Sequence, residues 1–385
     1  MDLRAKVIIE KAERTLEIFR EPMYNGTLSV KVTEKDIVIS DQQYPFDSYC
    51  YQFISALYST LSGDPSIIRD TNGDLGYYTF DKEDMSIAKY SITSPYDYDA
   101  RGIVVGSDDG TGEPHAITNY RLGTLVQNGA TSGKLTYDKY TTRKLVSQEG
   151  DNIVLELSRR FLNESGGAID IKEIGIYATL IYQACIVRDI LPSTITLSPG
   201  QTLTVTYKIL MSEVLGFTKN LVTVLSATSC EYFLDESSEY LKFLDGTTEV
   251  IHTINVVGNP KINYTNYPKL WASYGDDGYG MQIGNGNSTE SGDSYCLDSQ
   301  IMQGAVEYHR HHFTGVVVGA TTATCEFSRL FSNHTTEDIT FSEVALVGYG
   351  KGTTKGLMLF RSVITPVTIH PEETVKIRIQ FEGSI

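Results

Sequence analysis

Ser158-Arg159-Arg160-Phe161-Leu162-Asn163 returns later in the chain as Ser328-Arg329-Leu330-Phe331-Ser332-Asn333. Downstream of it, Ile169, Glu173, Ile174 and Ile176 return as Ile339, Glu343, Val344 and Leu346. The spacing is constant: 331 − 161 = 170 and 343 − 173 = 170. One offset through the whole stretch marks an internal duplication, which must be recognised before any element is assigned.

The match widens in both directions. The run Arg188 to Pro199 pairs with Arg361 to Pro371, and after each proline comes an alternating segment, Thr202–Tyr207 and Thr374–Ile379. Upstream, Gly102-Ile-Val-Val-Gly106 pairs with Gly280-Met-Gln-Ile-Gly284. Tyr120, Leu122, Val126 and Gly129 match Tyr295, Leu297, Ile301 and Gly304. Tyr49, Phe53 and Leu57 pair with Phe217, Leu221 and Leu225. The offset drifts between blocks, which places insertions in loops, where chains tolerate them. Unit one therefore spans 45–214 and unit two 215–385. Residues 1–44 lie outside both and read as an N-terminal docking segment.

Each unit is mainly β. Ile153–Leu157, Ile169–Tyr177, Cys185–Val187 and Leu203–Tyr207 are short, rich in β-branched residues and bounded by glycine, proline or asparagine. Regular short strands of this kind predict an antiparallel β-sandwich, here two in tandem. One short helix precedes the first unit: Tyr49, Phe53, Leu57 and Leu61 recur every fourth residue, with Ser48 to cap it and Gly63 and Pro65 to end it. At the N-terminus, Lys6–Glu10 and Thr15–Arg20 predict a β-hairpin, with an amphipathic helix as the competing reading. Leu28–Val32 and Asp36–Ser40 alternate as strands.

In Ile169–Tyr177 the alternation shifts phase at Glu173, which predicts a β-bulge and an inward-facing glutamate. Because Arg159 and Arg329 also occur in both copies, the expected pairs are Arg159–Glu173 and Arg329–Glu343, bracing strands rather than performing chemistry. Other motifs are weaker. His309 and His311 stand at i, i+2 and could share a strand face towards a metal, but no third ligand is near, so the segment reads as exposed strand or loop. Asp70-Thr-Asn-Gly-Asp74 resembles a calcium loop with its glycine one position early, and a hairpin turn is the preferred reading. Ser107–Glu113 and Gly275–Gly278 are acidic turns. Gly280–Gly286 is a strand entering a loop, since no helix follows. No nucleophile elbow, Walker loop or zinc-protease motif occurs, and no cofactor is expected.

The formal net charge is −16 and no Lys/Arg run exceeds two residues. That argues against nucleic-acid and anionic-membrane partners. No apolar run of about 18 residues exists, so no spanning helix is expected, and no signal peptide is read at the N-terminus. Cys50, Cys185, Cys230, Cys296 and Cys325 have no metal or redox spacing and are expected to be reduced, mostly buried thiols.

Several stretches together resemble virion structural proteins of tailed bacteriophages: the opening Met1-Asp-Leu-Arg-Ala-Lys-Val-Ile-Ile-Glu-Lys11, Phe53–Gly63 leading to Ile67–Gly73, Gly102–Gly106, Arg159–Tyr177, and Arg188–Pro192 with Leu197–Tyr207. The resemblance covers unit one at 45–212. Unit two departs from it at Ala345, where unit one has glycine, and at the inserted loop Thr353–Gly356. It implies a non-enzymatic particle component, assembled in the host bacterial cytoplasm, whose partners are other virion proteins and copies of itself. A receptor- or glycan-binding tail or fibre protein, directed at a host surface glycan, is the alternative.

Overall fold

The computed structural model describes residues 3–11, 14–19, 24–45, 49–62, 66–78, 101–111, 114–138, 142–149, 152–179, 183–212, 218–221, 239–251, 270, 272–291, 293–349 and 356–384. The chain opens with two antiparallel hairpins, β1 (Leu3–Lys11) with β2 (Arg14–Phe19), and β3 (Tyr24–Glu34) with β4 (Ile37–Pro45). The second hairpin turns through Lys35 and Asp36, both at positive φ, the conformation a two-residue primed turn requires. Helix α1 (Tyr51–Ser62) follows, then the hairpin β5 (Ser66–Arg69) and β6 (Leu75–Tyr78). The first half continues through β7 (Gly102–Gly106), β8 (Thr136–Tyr137), β9 (Thr142–Glu149), β10 (Asn152–Leu162), β11 (Ile169–Thr179), β12 (Gln183–Leu197) and β13 (Thr202–Ser212). The second half runs β14 (Glu239–Lys242), β15 (Thr248–Ile251), β16 (Gly280–Gly284), β17 (Glu307–Tyr308), β18 (His312–Val318), β19 (Thr322–Ser332), β20 (Ile339–Tyr349), β21 (Gly356–Ile369) and β22 (Thr374–Ser384).

The mainly-β expectation holds, and among the described residues every pairing between named strands is antiparallel. The two halves use the same pairings. A larger sheet orders β4-β3-β13-β10 in one half, with β8 and β9 both on β10; the other orders β2-β1-β22-β19, with β17 and β18 both on β19. The smaller sheets are β12-β11-β7 and β21-β20-β16.

Residues 1–44, expected as a docking segment, supply strands to the chain's own sheets in crossed order. The first hairpin extends the second half, β1 against β22, and the second hairpin extends the first half, β3 against β13. Val7, Ile8 and Ile9 are buried in the first hairpin, and Leu28, Val30 and Val32 in the second.

Helix α1 lies between the halves, packing on β5, β6 and β12 of one and on β18, β19 and β22 of the other. The spacing predicts one apolar face, but polar residues of the helix are buried too, while Phe53 is half-buried. Gln52, Ser55, Ser59 and Ser62 are buried with Ile54, Leu57 and Leu61. Its polar groups reach backbone carbonyls: Ser55 Oγ donates to Ile67 O (3.0 Å) and Ser62 Oγ to Tyr58 O (2.8 Å). A hydroxyl can enter a core when a carbonyl receives its hydrogen. The expected capping and stop residues Ser48, Gly63 and Pro65 lie outside the described residues. In the second half, the corresponding chain entry is visible: Thr218 N bonds Leu359 O (3.2 Å), as Cys50 N bonds Ile186 O (2.9 Å).

Candidate functional site: a buried charge cluster in each half

The bulge expected beside Glu173 is present in both halves, with register shifts between Ile171 and Glu173 and between Phe341 and Glu343. It turns each glutamate into the core, where both are fully buried. Glu173 accepts from Thr124 N (2.9 Å), Gly123 N (3.1 Å) and Arg188 Nε (2.9 Å). Glu343 accepts from Gly286 N (2.9 Å), Ser299 N (3.1 Å), Asp298 N (3.3 Å), Arg361 Nε (3.0 Å) and Arg361 Nη2 (2.8 Å). The strand opposite carries glycine for room. A Cβ at Gly106 would sit 2.4 Å from Glu173 Oε1, and one at Gly284 would sit 2.6 Å from Glu343 Oε1.

The arginines expected to meet these glutamates do something else. Arg159 donates through Nε to Asp138 O (3.1 Å) and through Nη1 to Arg101 O (2.8 Å) and Ile103 O (3.0 Å). Arg329 donates through Nε to His309 O (2.6 Å), through Nη1 to Tyr279 O (3.0 Å) and Met281 O (2.9 Å), and through Nη2 to Ser273 O (3.1 Å) and to Asp276 O. Each guanidinium lies 4.8 Å from a tyrosine ring centroid, Tyr137 or Tyr308. So the pairs Arg159–Glu173 and Arg329–Glu343 do not form. The reason is geometric: among the described residues β7 and β16 are edge strands, and a rigid five-donor fork from the larger sheet meets Ile103 O on β7 or Met281 O on β16 together with carbonyls of adjoining residues. Arg159 and Arg329 thereby tie the larger sheet to the smaller one. Burial lowers Arg329 to about 10, which leaves it charged at neutral pH.

The true partners are Arg188 on β12 and Arg361 on β21, and reading for inward charges missed them. A signal existed, because both arginines head the duplicated block that ends at Pro199 and Pro371.

Beyond the shared frame the halves diverge. Arg361 Nη2 also reaches Asp298 Oδ2 (2.9 Å) and Ser288 Oγ (3.0 Å). Nη1 and Nη2 of Arg188, equally buried, have no hydrogen-bond partner. The loop carboxylate has also changed sides. A Cβ at Gly123 would lie 2.6 Å from Asp108 Cγ, and one at Gly286 would lie 2.3 Å from Asp298 Cβ. Asp108 aligns with Gly286 at the offset of the β7/β16 block, and Gly123 aligns with Asp298 at the offset of the following loop. Aspartate and glycine are thus exchanged across one contact.

Two further elements repeat intact. Asn163 Nδ2 donates to Gly167 O (2.9 Å) and Leu197 O (2.7 Å), and Asn333 Nδ2 to Glu337 O (2.7 Å) and Ile369 O (2.9 Å). Tyr137 hydroxyl donates to Val126 O (2.6 Å), and Tyr308 hydroxyl to Ile301 O (2.5 Å). The arginine and glutamate clusters hold backbone with charge-assisted bonds, and these asparagines and tyrosines add neutral ones.

The remaining motifs resolve as local structure. His311 is buried, not exposed, with Nδ1 2.6 Å from Leu270 O, while His309 Nε2 lies 2.7 Å from Ser332 Oγ. Among the described residues no group of His, Cys, Asp or Glu side chains could hold a metal ion. Asp70 closes the β5–β6 turn, accepting from Asn72 N and Asp74 N (both 2.9 Å), which is the hairpin reading. In the acidic turns, Asp108 accepts from Gly110 N (2.7 Å) and Asp276 from Gly278 N (3.0 Å). No helix among the described residues is long and apolar enough to cross a membrane. No family model, curated protein or solved structure matches this chain.

Proposed function

We propose that the chain is a non-enzymatic structural subunit of a tailed-phage virion, a tandem duplication of a two-sheet β-sandwich unit that assembles with itself and other virion proteins into a connector, collar, tail or decoration ring. One observation carries this reading. The most elaborate charged clusters, repeated in both halves, are buried and bonded to the protein's own backbone (Glu173, Arg159 and their counterparts). Groups so placed serve rigidity, and rigidity suits a part repeated around a symmetry axis. Apolar side chains are left for contacts: Ile37, Val38 and Ile39 on the second hairpin, and Val317 and Val318 on β18. The acidic balance disfavours nucleic acid as the partner.

The test is light scattering with negative-stain imaging of the purified chain, alone and with candidate virion proteins. Closed rings or stoichiometric complexes support the reading; a chain that stays monomeric throughout and degrades a polymer overturns it. A second reading, a receptor- or glycan-binding tail or fibre protein, is favoured by Tyr274. It is 60% exposed, packs edge-on against His309 at 5.6 Å and precedes an acidic turn, a set suited to stacking on a sugar. Binding on a glycan array that Tyr274→Ala abolishes would select it.

A further inference from the structure

Cys50 directly precedes α1, and Cys185 lies on β12. The backbone holds these segments together: Cys50 N donates to Ile186 O (2.9 Å), and Tyr49 bridges Val187. Both thiols are fully buried. Cys185 Sγ donates to Val187 O (3.1 Å), and burial, with Cys50 beside it, raises the Cys185 thiol well above its ordinary value. The second half shows what the place is for. There Thr218 aligns with Cys50 and Met358 with Cys185, and Thr218 Oγ1 donates to Met358 O (2.7 Å). One half ties its chain entry to the strand by a hydroxyl bond; the other places two sulfurs there.

We propose that Cys50 and Cys185 are a latent cross-linking site, thiols while the protein folds and a disulfide once it meets a low-molecular-weight disulfide. One protein thiolate attacks that disulfide, forming a mixed disulfide and releasing one small thiol. The second protein thiolate then attacks the protein-side sulfur and releases the other. Two electrons pass from the protein sulfurs to the small disulfide, and the two protons leave through the thiolates. Because both sulfurs are shielded, the reaction runs through local opening at the start of α1 and is slow. Once formed, the bond closes the chain between residues 50 and 185 and fixes the helix that packs on both halves. The inference is independent of the virion reading.

The whole chain is incubated with oxidised glutathione at mildly alkaline pH, below its unfolding temperature, then denatured, alkylated and mapped by mass spectrometry. The expected result is a Cys50–Cys185 linkage, with the mass of two hydrogens lost. A rise of roughly 5 °C in the melting midpoint should accompany it. Dithiothreitol should reverse the rise, and Cys50→Ser and Cys185→Ser should each lack it. Full alkylation of both cysteines after prolonged oxidation would overturn the proposal. So would glutathione retained on either one, or a linkage to another cysteine. These readouts come from the parent chain, so they stand even where a serine variant folds poorly.

Discussion

Replacing Glu173 by alanine removes the acceptor of three hydrogen bonds at a site with no solvent access. Two losses follow. Arg188 keeps its charge in the core without its carboxylate, and breaking a buried pair from one side costs about 3–5 kcal/mol. The amides of Gly123 and Thr124 lose their acceptor, at roughly 1–3 kcal/mol each where water cannot replace it. Water entering the vacated volume offsets part of the sum, so the expected loss is about 4–6 kcal/mol. That is comparable with the whole stability of many domains. Urea unfolding followed by far-ultraviolet circular dichroism at neutral pH reads it. The double variant Glu173→Leu, Arg188→Met should recover most of the loss, because it removes both charges together. Arg160→Ala, at an exposed pair with Asp138, should change stability by less than about 0.5 kcal/mol. If Glu173→Ala unfolds within about 1 kcal/mol of the parent, the inward carboxylate is not holding the first half together and the argument fails.

Three other outcomes are expected. Arg159→Lys keeps the charge but not the fork that spans Asp138, Arg101 and Ile103 carbonyls, and should cost about 2–3 kcal/mol in the same assay. Gly123→Asp alone crowds Asp108, whereas Asp108→Gly with Gly123→Asp recreates the second half's arrangement, so the double variant should be more stable than Gly123→Asp by roughly 1–3 kcal/mol in a double-mutant cycle. Burial lowers His311 to about 3, against the Leu270 carbonyl and helped by Arg329 and His312, so the unfolded chain binds the extra proton between that value and the ordinary histidine range near 6.5. Stability should therefore fall as pH drops from about 6.5 towards 3, and His311→Phe should flatten that part of the urea-midpoint profile.

Much of the fold could be read from residue order. The bulge beside Glu173 was visible as a phase slip in an alternating strand, since Ile169 and Ile171 stand at odd positions and Ile174 and Ile176 at even ones. The N-terminal hairpin was legible from β-branched alternation. Its destination was not, because backbone hydrogen bonds carry no side-chain identity and an alternating strand fits any free edge of suitable length. The helix misled for a related reason: Gln52, Ser55 and Ser59 imply a wet face, and only the packing of both halves around it shows that face covered.

The sequence by itself determined the repeated blocks, the β class and the inward turn of Glu173 and Glu343, because each of these is written in spacing along one dimension. Tertiary structure alone decided whom those charges meet. Arg159 finds the Ile103 carbonyl of β7 and those of Arg101 and Asp138, and Glu173 finds Arg188 on the neighbouring strand, because partner choice depends on which edges lie open and on where a bulge resets the register. Those are distances in three dimensions between residues far apart in the chain.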